Sequence, residues 1–591
     1  MSSSTQVSAR AADGGAQAAA ALAAWLAARQ KDNAAVLTQY SIYLSVLIGI
    51  FIVAHWLRYT AVRLQWSRSA VLYPFVALSR AVRRMFIRRL PGFTSVGHAM
   101  VVTVFVALNA TFSFYRIDVS QPTDLAARFG WMAAGNMALV VFLALKNTPL
   151  AFLTAYSYER LNGLHQIAGY TTLLYAILHG TIYPAYFIKA EQWEVLHLEI
   201  VNAGIVLGFA TLSTVLAGTI LRRLNYELFY IVHLVLFVVI VVALGLHRPS
   251  FEKFKILIVT VLIAAMWFAD RLIRFGRLVY NSINNEAEIY ALPNGGTRIV
   301  IKKHLFRARP GKHCYVWLPQ IRAFETHPFT IVASDPLELI VNTYSGFTKD
   351  LHDYAARNSG RSLKVSVEGP YGTLPDPMDY DKVVLVAGGA GATFTFGLAA
   401  DMLRRMTEDS RQQIDFIWAI REYNNLLWFT QHLNNLRMHS HAPRIALKVH
   451  LTKLTTTSPF SSTGSALSDT SSGHSPILPI QKNAEYPVIS GPTSPVSPVS
   501  LDSEKNEIKE VYRQMEPTSA TTSSSDLTLI HGRPDTEGLI RAAVRSVGKD
   551  QRILIAACGP NGLLDVVRNT TASCISVDGP AVELHCEQFG W

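Results

Sequence analysis

Four histidines in two equal spacings constrain this chain more than any other feature. His165 and His179 lie 14 residues apart, and so do His233 and His247. In an α-helix this spacing is nearly four turns, so both histidines of a pair project from one face, about 21 Å apart along the axis. A single histidine in an apolar helix is more often a hydrogen-bonded core residue, but two matched pairs in apolar stretches favour metal ligation. The pattern predicts two haems b, each held by two histidines.

The composition indicates a membrane protein, because 50% of the residues are hydrophobic and only 16% are charged. The apolar residues are concentrated before residue 278. There the sequence predicts seven membrane-spanning helices, each near the ~20 residues that cross a bilayer. They are Tyr40–Tyr59, Gly97–Tyr115, Phe129–Leu145, Leu164–Phe187, Ile200–Leu221, Tyr226–Leu246 and Phe254–Phe275. We therefore expect residues 40–278 to form a transmembrane domain within the lipid bilayer.

Arginines indicate the topology of these spans. The end of the first span and the segment after it contain Arg58, Arg63, Arg68, Arg80, Arg83, Arg84, Arg88 and Arg89. The positive-inside rule places this segment in the cytosol, the N-terminus outside and the chain after Phe275 in the cytosol. His165 and His233 then form the inner pair, and His179 and His247 the outer pair. Because much of the net charge of +12 lies in this membrane-proximal segment, it does not indicate a nucleic-acid partner.

The N-terminal residues 1–39 are rich in Ala and Ser and are predicted to form a tail. They contain no basic region leading into a strongly hydrophobic stretch, so no signal peptide is predicted. The four cysteines, Cys314, Cys558, Cys574 and Cys586, all lie in the second half and show no CxxC spacing. This usage suggests no disulfide framework and fits a reducing cytosol.

The sequence pattern of the second half changes once. Residues 279–378 contain short alternating strands, with a hairpin of Glu288–Leu292 and Arg298–Lys302, and predict a small antiparallel β-barrel. Residues 379–591 alternate buried strands with helices, as in a parallel α/β nucleotide-binding domain. Ser, Thr and Pro dominate residues 455–528, so we expect a disordered insertion, either an inert spacer or a phosphorylation target at its Ser-Pro steps. The predicted fold class is multidomain: an α-helical transmembrane haem-binding bundle, an antiparallel β-barrel FAD domain and an α/β nucleotide-binding domain.

The segment His327-Pro328-Phe329-Thr330 opens a barrel strand and makes a family resemblance specific. Together with the paired histidines, it resembles the ferric reductase transmembrane family of fungi, which is related to the NADPH oxidases and has a ferredoxin-reductase-type flavin domain. The resemblance covers residues 95–450 and 529–591 approximately. It implies that these four residues lie along FAD, with their backbone and the Thr330 hydroxyl contacting the isoalloxazine ring and the ribityl chain.

Two neighbouring segments fit the same flavin site. Gly346-Phe347-Thr348-Lys349 precedes a helical stretch, where free backbone N–H groups and the helix dipole favour an anion. The resemblance implies that this anion is the FAD pyrophosphate, and an ordinary helix cap at Thr348 is the alternative. Gly369-Pro370-Tyr371-Gly372 resembles the family's GPYG turn at the flavin–nicotinamide junction.

The nucleotide domain carries three further segments. Gly388-Gly389-Ala390-Gly391-Ala392-Thr393 lies between a strand and a helix, where backbone can approach a pyrophosphate, and the resemblance assigns it to NADPH. Arg421 follows a strand and is placed for a 2′-phosphate, or is an ordinary surface arginine. Cys558-Gly559-Pro560 resembles the family's CGP turn beside the nicotinamide, with the thiol a positioning group rather than a nucleophile. Arg533, in Gly532-Arg533-Pro534, is expected to contact a cofactor phosphate.

The chain ends in Phe589-Gly590-Trp591. Related reductases place a terminal aromatic residue against the flavin, where the nicotinamide must displace it to deliver hydride. This resemblance makes Phe589 and Trp591 candidate cofactor contacts, and an aromatic tail that simply caps the core is the alternative.

The function implied by the resemblance is an electron relay from NADPH through FAD and two haems to an external acceptor. The first candidate is reduction of ferric or cupric chelates for iron uptake, with an iron permease or ferroxidase as downstream partner. The plasma membrane is the expected location, and the vacuolar membrane is the alternative. The second is a superoxide-generating NADPH oxidase, which the extra first span, the arginine-rich loop and the CGP and FGW segments disfavour. A non-enzymatic membrane scaffold is disfavoured by the intact HPFT, glycine-rich and CGP segments.

Overall fold

The computed structural model describes residues 2–64, 66, 69, 71–249, 251, 253–453 and 527–588. Its first half is helical, with α1 (Ser2–Arg63), α2 (Tyr73–Phe86), α3 (Val96–Phe114), α4 (Pro122–Ala144), α5 (Pro149–Thr154), α6 (Tyr158–Lys189), α7 (Glu199–Leu216), α8 (Arg222–Leu224), α9 (Tyr226–Leu246) and α10 (Lys253–Ser282). A π-helical turn, Ala217–Leu221, joins α7 to α8. Two of the long helices begin at side-chain caps, because Ser95 and Asn225 accept the backbone N–H groups of His98 and Leu228.

Six of the described helices are long and apolar enough to cross a membrane. They are α1 from Ala20, α3, α4, α7 continued through α8, α9 and α10, and each contains one predicted span. The remaining predicted span lies in α6, a helix of 32 residues that is not among these six, and its buried residues include the polar Thr172 and Tyr175. Helix α6 lies inside the bundle, packed along α4 and α7, so its position supports the seventh crossing where its composition does not.

The N-terminal residues form part of the first helix and not the expected tail. Residues 1–39 were expected to precede the bundle, but α1 is helical from Ser2 and runs without a break through residue 40. Asn33, Leu37 and Tyr40 on this helix are buried against the other helices, and the Arg128 Nε donates to Asn33 Oδ1 at 2.6 Å. Alanine has the highest helix propensity, so an Ala-rich stretch extends a helix even where no membrane-length apolar run marks it.

The flavin-type domain is a seven-stranded antiparallel sheet. Its strands are β1 (Glu286–Leu292), β2 (Gly296–Ile301), β3 (His313–Trp317), β4 (His327–Ser334), β5 (Leu337–Asn342), β6 (Ser362–Lys364) and β7 (Ser366–Tyr371), in the order β6-β1-β2-β5-β4-β3-β7. The predicted hairpin is confirmed as β1 and β2. Strands β6 and β7 are separate, because the chain leaves β1 after β6 and pairs with β3 from β7 onward. Helix α11 (Phe347–Arg357) connects β5 to β6.

The nucleotide-type domain is a six-stranded parallel sheet. Strands β8 (Lys382–Gly388), β9 (Gln413–Ile420), β10 (Ile445–Leu451), β11 (Thr528–His531), β12 (Arg552–Cys558) and β13 (Ala581–Glu587) follow the order β11-β10-β9-β8-β12-β13. Helices α12 (Ala392–Arg405), α13 (Thr430–Arg437), α14 (Thr536–Arg545) and α15 (Asn561–Cys574) complete it. The expected insertion, 455–528, lies outside the described residues except for its last two. The parallel order brings the carboxyl ends of all six strands to one edge, where ligands bind in such folds.

The antiparallel sheet lies between the other two units. Its strand β7 contacts the end of α10, where Asn281 Nδ2 donates to the Val367 carbonyl at 2.7 Å. Its strand β4 packs against α12, and Gly397 allows this approach because a Cβ there would lie 3.0 Å from the Val332 carbonyl oxygen. The segments expected to bind flavin are therefore held between the membrane helices and the nucleotide domain.

Candidate functional site

The structure brings together the two histidine pairs that the sequence predicts. The rings of His165 and His233 have centroids 6.4 Å apart, and those of His179 and His247 have centroids 5.8 Å apart. His247 lies just beyond the last residue of α9 and caps it. Along the described chain, α6 and α9 are not packed closely against one another. The imidazoles therefore face each other across a gap between the two helices.

Three of the four imidazoles are oriented by backbone carbonyls. The Nδ1 of His165 donates to Val140 at 2.9 Å, that of His179 to Ala126 at 2.8 Å, and that of His247 to Ile200 at 2.6 Å. A carbonyl only accepts, so each bond fixes the proton on Nδ1 and leaves Nε2 as the free lone pair. Metal-ligating histidines are typically oriented in this way by groups outside the ligand set.

Two glycines make room for the outer pair. A Cβ at Gly130 of α4 would lie 2.7 Å from Nδ1 of His179, and a Cβ at Gly204 of α7 would lie 2.6 Å from Cε1 of His247. Both distances are well inside van der Waals contact, so a side chain at either position would displace the histidine ring. The sequence analysis missed these residues because a glycine inside a helix shows a functional role only when its neighbour on another helix is known.

The HPFT segment forms the start of β4. Thr330 pairs with His313 of β3 and is nearly buried, and the His327 ring stacks on Phe347 with centroids 4.1 Å apart. Burial and the neighbouring Arg322 lower the pKa of His327 to about 4, against the opposing charge of Glu227. His327 is therefore neutral at physiological pH and offers a hydrogen bond rather than a charge.

A charged cluster ties this segment to the membrane helices. Arg322 lies 3.6 Å from Glu227, in the first turn of α9, and 3.4 Å from Glu325, which contacts His327 at 3.2 Å. The two carboxylates and His327 are near enough to share a cation, but Arg322 already supplies a positive charge beside both carboxylates. Since α9 also carries His233, the cluster connects the expected flavin segment to the helix of the inner pair.

The start of α11 matches the expected anion site only in part. Gly346, at φ 74°, is the residue before the helix, and its neighbours Phe347 and Thr348 are in the first turn. The Thr348 hydroxyl accepts the N–H of Tyr344 at 2.8 Å, so it closes the preceding turn and is not the helix cap. Lys349 lies in the same turn and adds a positive charge near this end of the helix.

The GPYG segment participates in a buried polar network. The Tyr371 hydroxyl donates to Glu368 at 2.5 Å, and Arg274 of α10 donates to both carboxylate oxygens of Glu368 at 2.6 and 3.1 Å. Tyr371 also packs against Tyr158, at the start of α6, with ring centroids 5.9 Å apart. Tyr371 is almost fully buried in these contacts, whereas Gly369, Pro370 and Gly372 form the turn around it. This side chain thus joins the flavin-type domain to the helices that carry the histidines.

Two glycine turns meet at the carboxyl ends of β8 and β12. A Cβ at Gly388 would lie 2.7 Å from Pro560 Cδ, one at Gly559 would lie 3.0 Å from the Gly388 N, and one at Gly391 would overlap the Cys558 carbonyl. The close approach of the two turns explains why these positions are glycine. It places the predicted nucleotide turn, with Gly389 at φ 56°, directly beside the CGP turn.

The other predicted residues of this edge differ in exposure. Thr393 is buried and donates to the Ala390 carbonyl at 3.0 Å. Burial raises the pKa of the Cys558 thiol well above its usual value, and Glu587 and Cys586 add to the effect, so the thiol stays protonated. Arg421 and Arg533 are exposed just beyond β9 and β11. Both side chains are therefore accessible to an incoming phosphate. Phe589 and Trp591 lie outside the described residues.

Comparisons with known proteins match this architecture domain by domain. Residues 129–244 match the family model of a ferric reductase like transmembrane component, residues 283–374 an FAD-binding domain, and residues 380–572 a ferric reductase NAD binding domain. The chain thus combines the transmembrane, flavin and nucleotide domains of ferric reductases. It is an oxidoreductase with a multi-pass membrane domain, an FAD-binding domain and a nicotinamide-nucleotide-binding domain.

Several fungal relatives resemble it over most of the chain. The ferric/cupric reductase transmembrane component 2 of Saccharomyces cerevisiae is 24% identical over 85% of this chain and 67% of its own length. The ferric reductase transmembrane component 3 of the same yeast is 23% identical over 90% and 71%. A probable cell surface ferric reductase of Aspergillus oryzae is 26% identical over 63% and 56%.

The exposed position of Arg421 leads to a prediction about nucleotide preference. Arg421→Ala should weaken NADPH binding about 10- to 100-fold, because a charged hydrogen bond contributes roughly 1.5–3 kcal/mol, while NADH binding changes little. Titrating both nucleotides against the purified protein measures this difference. Arg411→Ala, at the amino end of the same sheet, is the matched control and should affect neither. Equal losses for NADPH and NADH would remove Arg421 from the 2′-phosphate site.

Proposed function

We propose that this protein is a transmembrane metalloreductase that passes electrons from cytosolic NADPH through FAD and two haems b to ferric chelates across the membrane. Cupric chelates are a second acceptor of the same kind, and the reaction supports iron uptake. The overall reaction balances as one NADPH reducing two ferric ions, with release of NADP⁺ and one proton. FAD, when bound, accepts hydride from NADPH and passes single electrons onward.

The observation that carries this proposal is the geometry of the two histidine pairs. A metal–imidazole bond is about 2 Å long and a ring nitrogen lies about 1 Å from its ring centre, so two imidazoles on one metal have centroids about 6 Å apart. The observed 6.4 and 5.8 Å fit this value at both levels of the bundle. His165 with His233 would hold the inner haem, and His179 with His247 the outer haem, leaving neither iron a free position.

The flavin and nucleotide segments also fit their cofactors. His327 to Thr330 pair with β3 on one side, and pairing of β4 with β5 on the other side begins only at Ile331. They lie beside the start of α11, where Gly346 and Lys349 suit a pyrophosphate. Gly388, Gly389 and Gly391 present backbone without side chains at the carboxyl edge of the parallel sheet. The short link through Tyr371 and Glu368 to α6 and α10 holds this region against the inner end of the bundle.

The direction of electron flow is supported by charge and contact. Arginines at the end of α1 and in the segment between α1 and α3 contact the nucleotide domain directly, so these arginines and the nucleotide domain lie on one side of the membrane. The positive-inside rule makes that side the cytosol and places the N-terminus outside. The outer pair then faces the exterior, and the name of the Aspergillus oryzae relative supports the cell surface as the location. An iron permease or ferroxidase that takes up the reduced metal is a partner of this function.

The test uses sealed vesicles containing the holoprotein. NADPH does not cross the bilayer, so NADPH added outside drives only molecules whose nucleotide domain faces outward. A ferric chelate and an impermeant ferrous indicator are enclosed inside the vesicles, and a parallel sample carries both outside. We expect ferrous signal only from the enclosed chelate.

Two results would contradict the proposal. Equal ferrous signal from the outside sample would mean that electrons do not cross the membrane. Enclosed superoxide formed as fast as the ferrous product, measured in air, would identify an oxidase instead. A pyridine haemochrome assay of the same preparation should give two haems per chain.

A further inference from the structure

Arginines at the end of α1 and in the segment between α1 and α3 bind the nucleotide domain as well as facing the cytosol. Arg80 donates to the carbonyls of Val577 and Gly579 at 2.6 and 2.9 Å, and Arg89 pairs with Asp565. The arginines with such contacts are Arg58, Arg63, Arg80, Arg83 and Arg89. These charges therefore have a structural partner in this chain, which the positive-inside rule alone does not predict.

The centre of this interface is Glu583 of β13. Arg58 of α1 lies 3.0 Å from its carboxylate, and Arg83 of α2 lies 3.2 Å from the same oxygen. Arg83 also donates to the Val582 carbonyl at 3.2 Å. Burial alone would raise the pKa of Glu583, but Arg83, Arg58 and then Arg552 outweigh it and hold the pKa below its usual value. The carboxylate is therefore charged and binds two membrane-domain helices to one strand.

The same strand is contacted a second time, two residues further on. Arg160, in the first turn of α6, lies 3.2 Å from Nδ1 of His585. Glu583 and His585 share one face of β13, because side chains two apart in a strand point the same way. The His585 ring also stacks on Phe394, with centroids 5.9 Å apart. Phe394 follows Thr393 at the start of α12, so β13 connects α6 to the nucleotide turn.

We propose that Glu583 is a positioning residue for hydride transfer. Held by Arg58 and Arg83, it sets how the nucleotide turn stands relative to the flavin segment, although it touches neither cofactor. A displacement of about 1 Å at a reacting centre can slow a reaction about 100-fold, so loosening this contact should slow flavin reduction without removing flavin or haem. The proposal rests on the proposed function for its donor, NADPH, and is independent of the metal acceptor.

The first test follows flavin bleaching by NADPH in the anaerobic holoprotein, in a stopped-flow instrument. Glu583→Gln should lower this rate at least tenfold at saturating NADPH, with unchanged FAD and haem content and unchanged NADPH affinity. Glu583→Arg and Arg83→Glu should each do the same, and the two combined should recover most of the rate, since the opposite charges are restored. Glu537→Gln, which removes an exposed pair with Arg541 in α14 of the same domain, is the control and should match the wild type.

A second measurement separates this proposal from the proposed function. Hydrogen–deuterium exchange of residues 577–587 should be faster in Glu583→Gln than in the wild type, with or without NADPH. If the wild-type flavin is not reduced by NADPH, the proposed function fails, and the exchange data still decide whether Glu583 holds the domains together. Unchanged exchange, or a Glu583→Gln rate within twofold of the wild type, would overturn the positioning role.

Discussion

Reduction of an enclosed ferric chelate is expected to fall to background when His179 is replaced by alanine, while NADPH still bleaches the flavin. His179 supplies one of the two imidazoles of the outer pair, and its partner His247 lies at a helix end. One imidazole at this site is insufficient to hold a bis-histidine haem, so the relay would stop at the inner haem. The haem content should fall from two to one per chain, and the reduced spectrum of the remaining haem should be unchanged.

Three further variants make this result specific. His247→Ala should reproduce it, and Gly130→Ala should weaken the same site, because the new Cβ would overlap the His179 ring. His98→Ala is the control, since His98 lies in the same bundle but packs against Phe93 and contacts Thr94 rather than another histidine. Two haems per chain in His179→Ala would refute the assignment of the outer pair.

Glu368→Gln is expected to be the most destabilising single change outside the membrane spans. Glu368 and Arg274 are both nearly buried, with 3% and 9% of their side chains exposed. Removing one partner of a buried ion pair leaves the other charge uncompensated and costs about 3–5 kcal/mol. The variant also disturbs the Tyr371 hydroxyl, which donates to the same carboxylate. Release of bound flavin on heating, followed by fluorescence, should occur at a clearly lower temperature.

The pKa of Glu368 predicts how the stability difference between wild type and Glu368→Gln changes with pH. Burial opposes ionisation of Glu368, but the hydrogen bonds and charge of Arg274, together with Lys146, outweigh it and lower its pKa. A carboxyl with a lower pKa in the folded state adds stability at neutral pH, and this stability is lost as the pH falls through the acid range. The difference between wild type and variant should therefore shrink on acidification. Glu286→Gln breaks an exposed pair with Lys302 in the same sheet and should leave the release temperature unchanged at every pH. A Glu368→Gln protein as stable as wild type at neutral pH would contradict the argument.

The two histidine pairs are the part of the candidate site that the sequence predicts best. A spacing of 14 residues in two apolar helices fixes which histidines share a face, and the order of the spans fixes which pair with which. The parallel sheet was similarly accessible, since β8, β9, β10 and β12 are buried apolar runs. In both cases the decisive information is local and periodic.

Features that depend on distant partners were not accessible. Gly130 is recognisable only beside His179, and the packing of Tyr371 against Tyr158 depends on a helix of another domain. The arginines after the first span were interpreted from their charge alone, whereas Arg58 contacts Glu583, 525 positions further along the chain. No short pattern encodes such a pair, so only the folded chain shows it.

Strand β13 has a practical consequence for expression of the soluble half by itself. It is the last strand of the parallel sheet, and an edge strand with free backbone groups recruits strands from other molecules. Here Arg83 donates to one of its carbonyls and neutralises Glu583, and helix α2 packs against α15 beside it. A fragment that begins after α10 would lose this cover and expose a buried carboxylate beside an open edge. Preparations of the isolated flavin and nucleotide domains should thus tend to aggregate, and supplying residues 73–89 as a fused segment should improve their solubility.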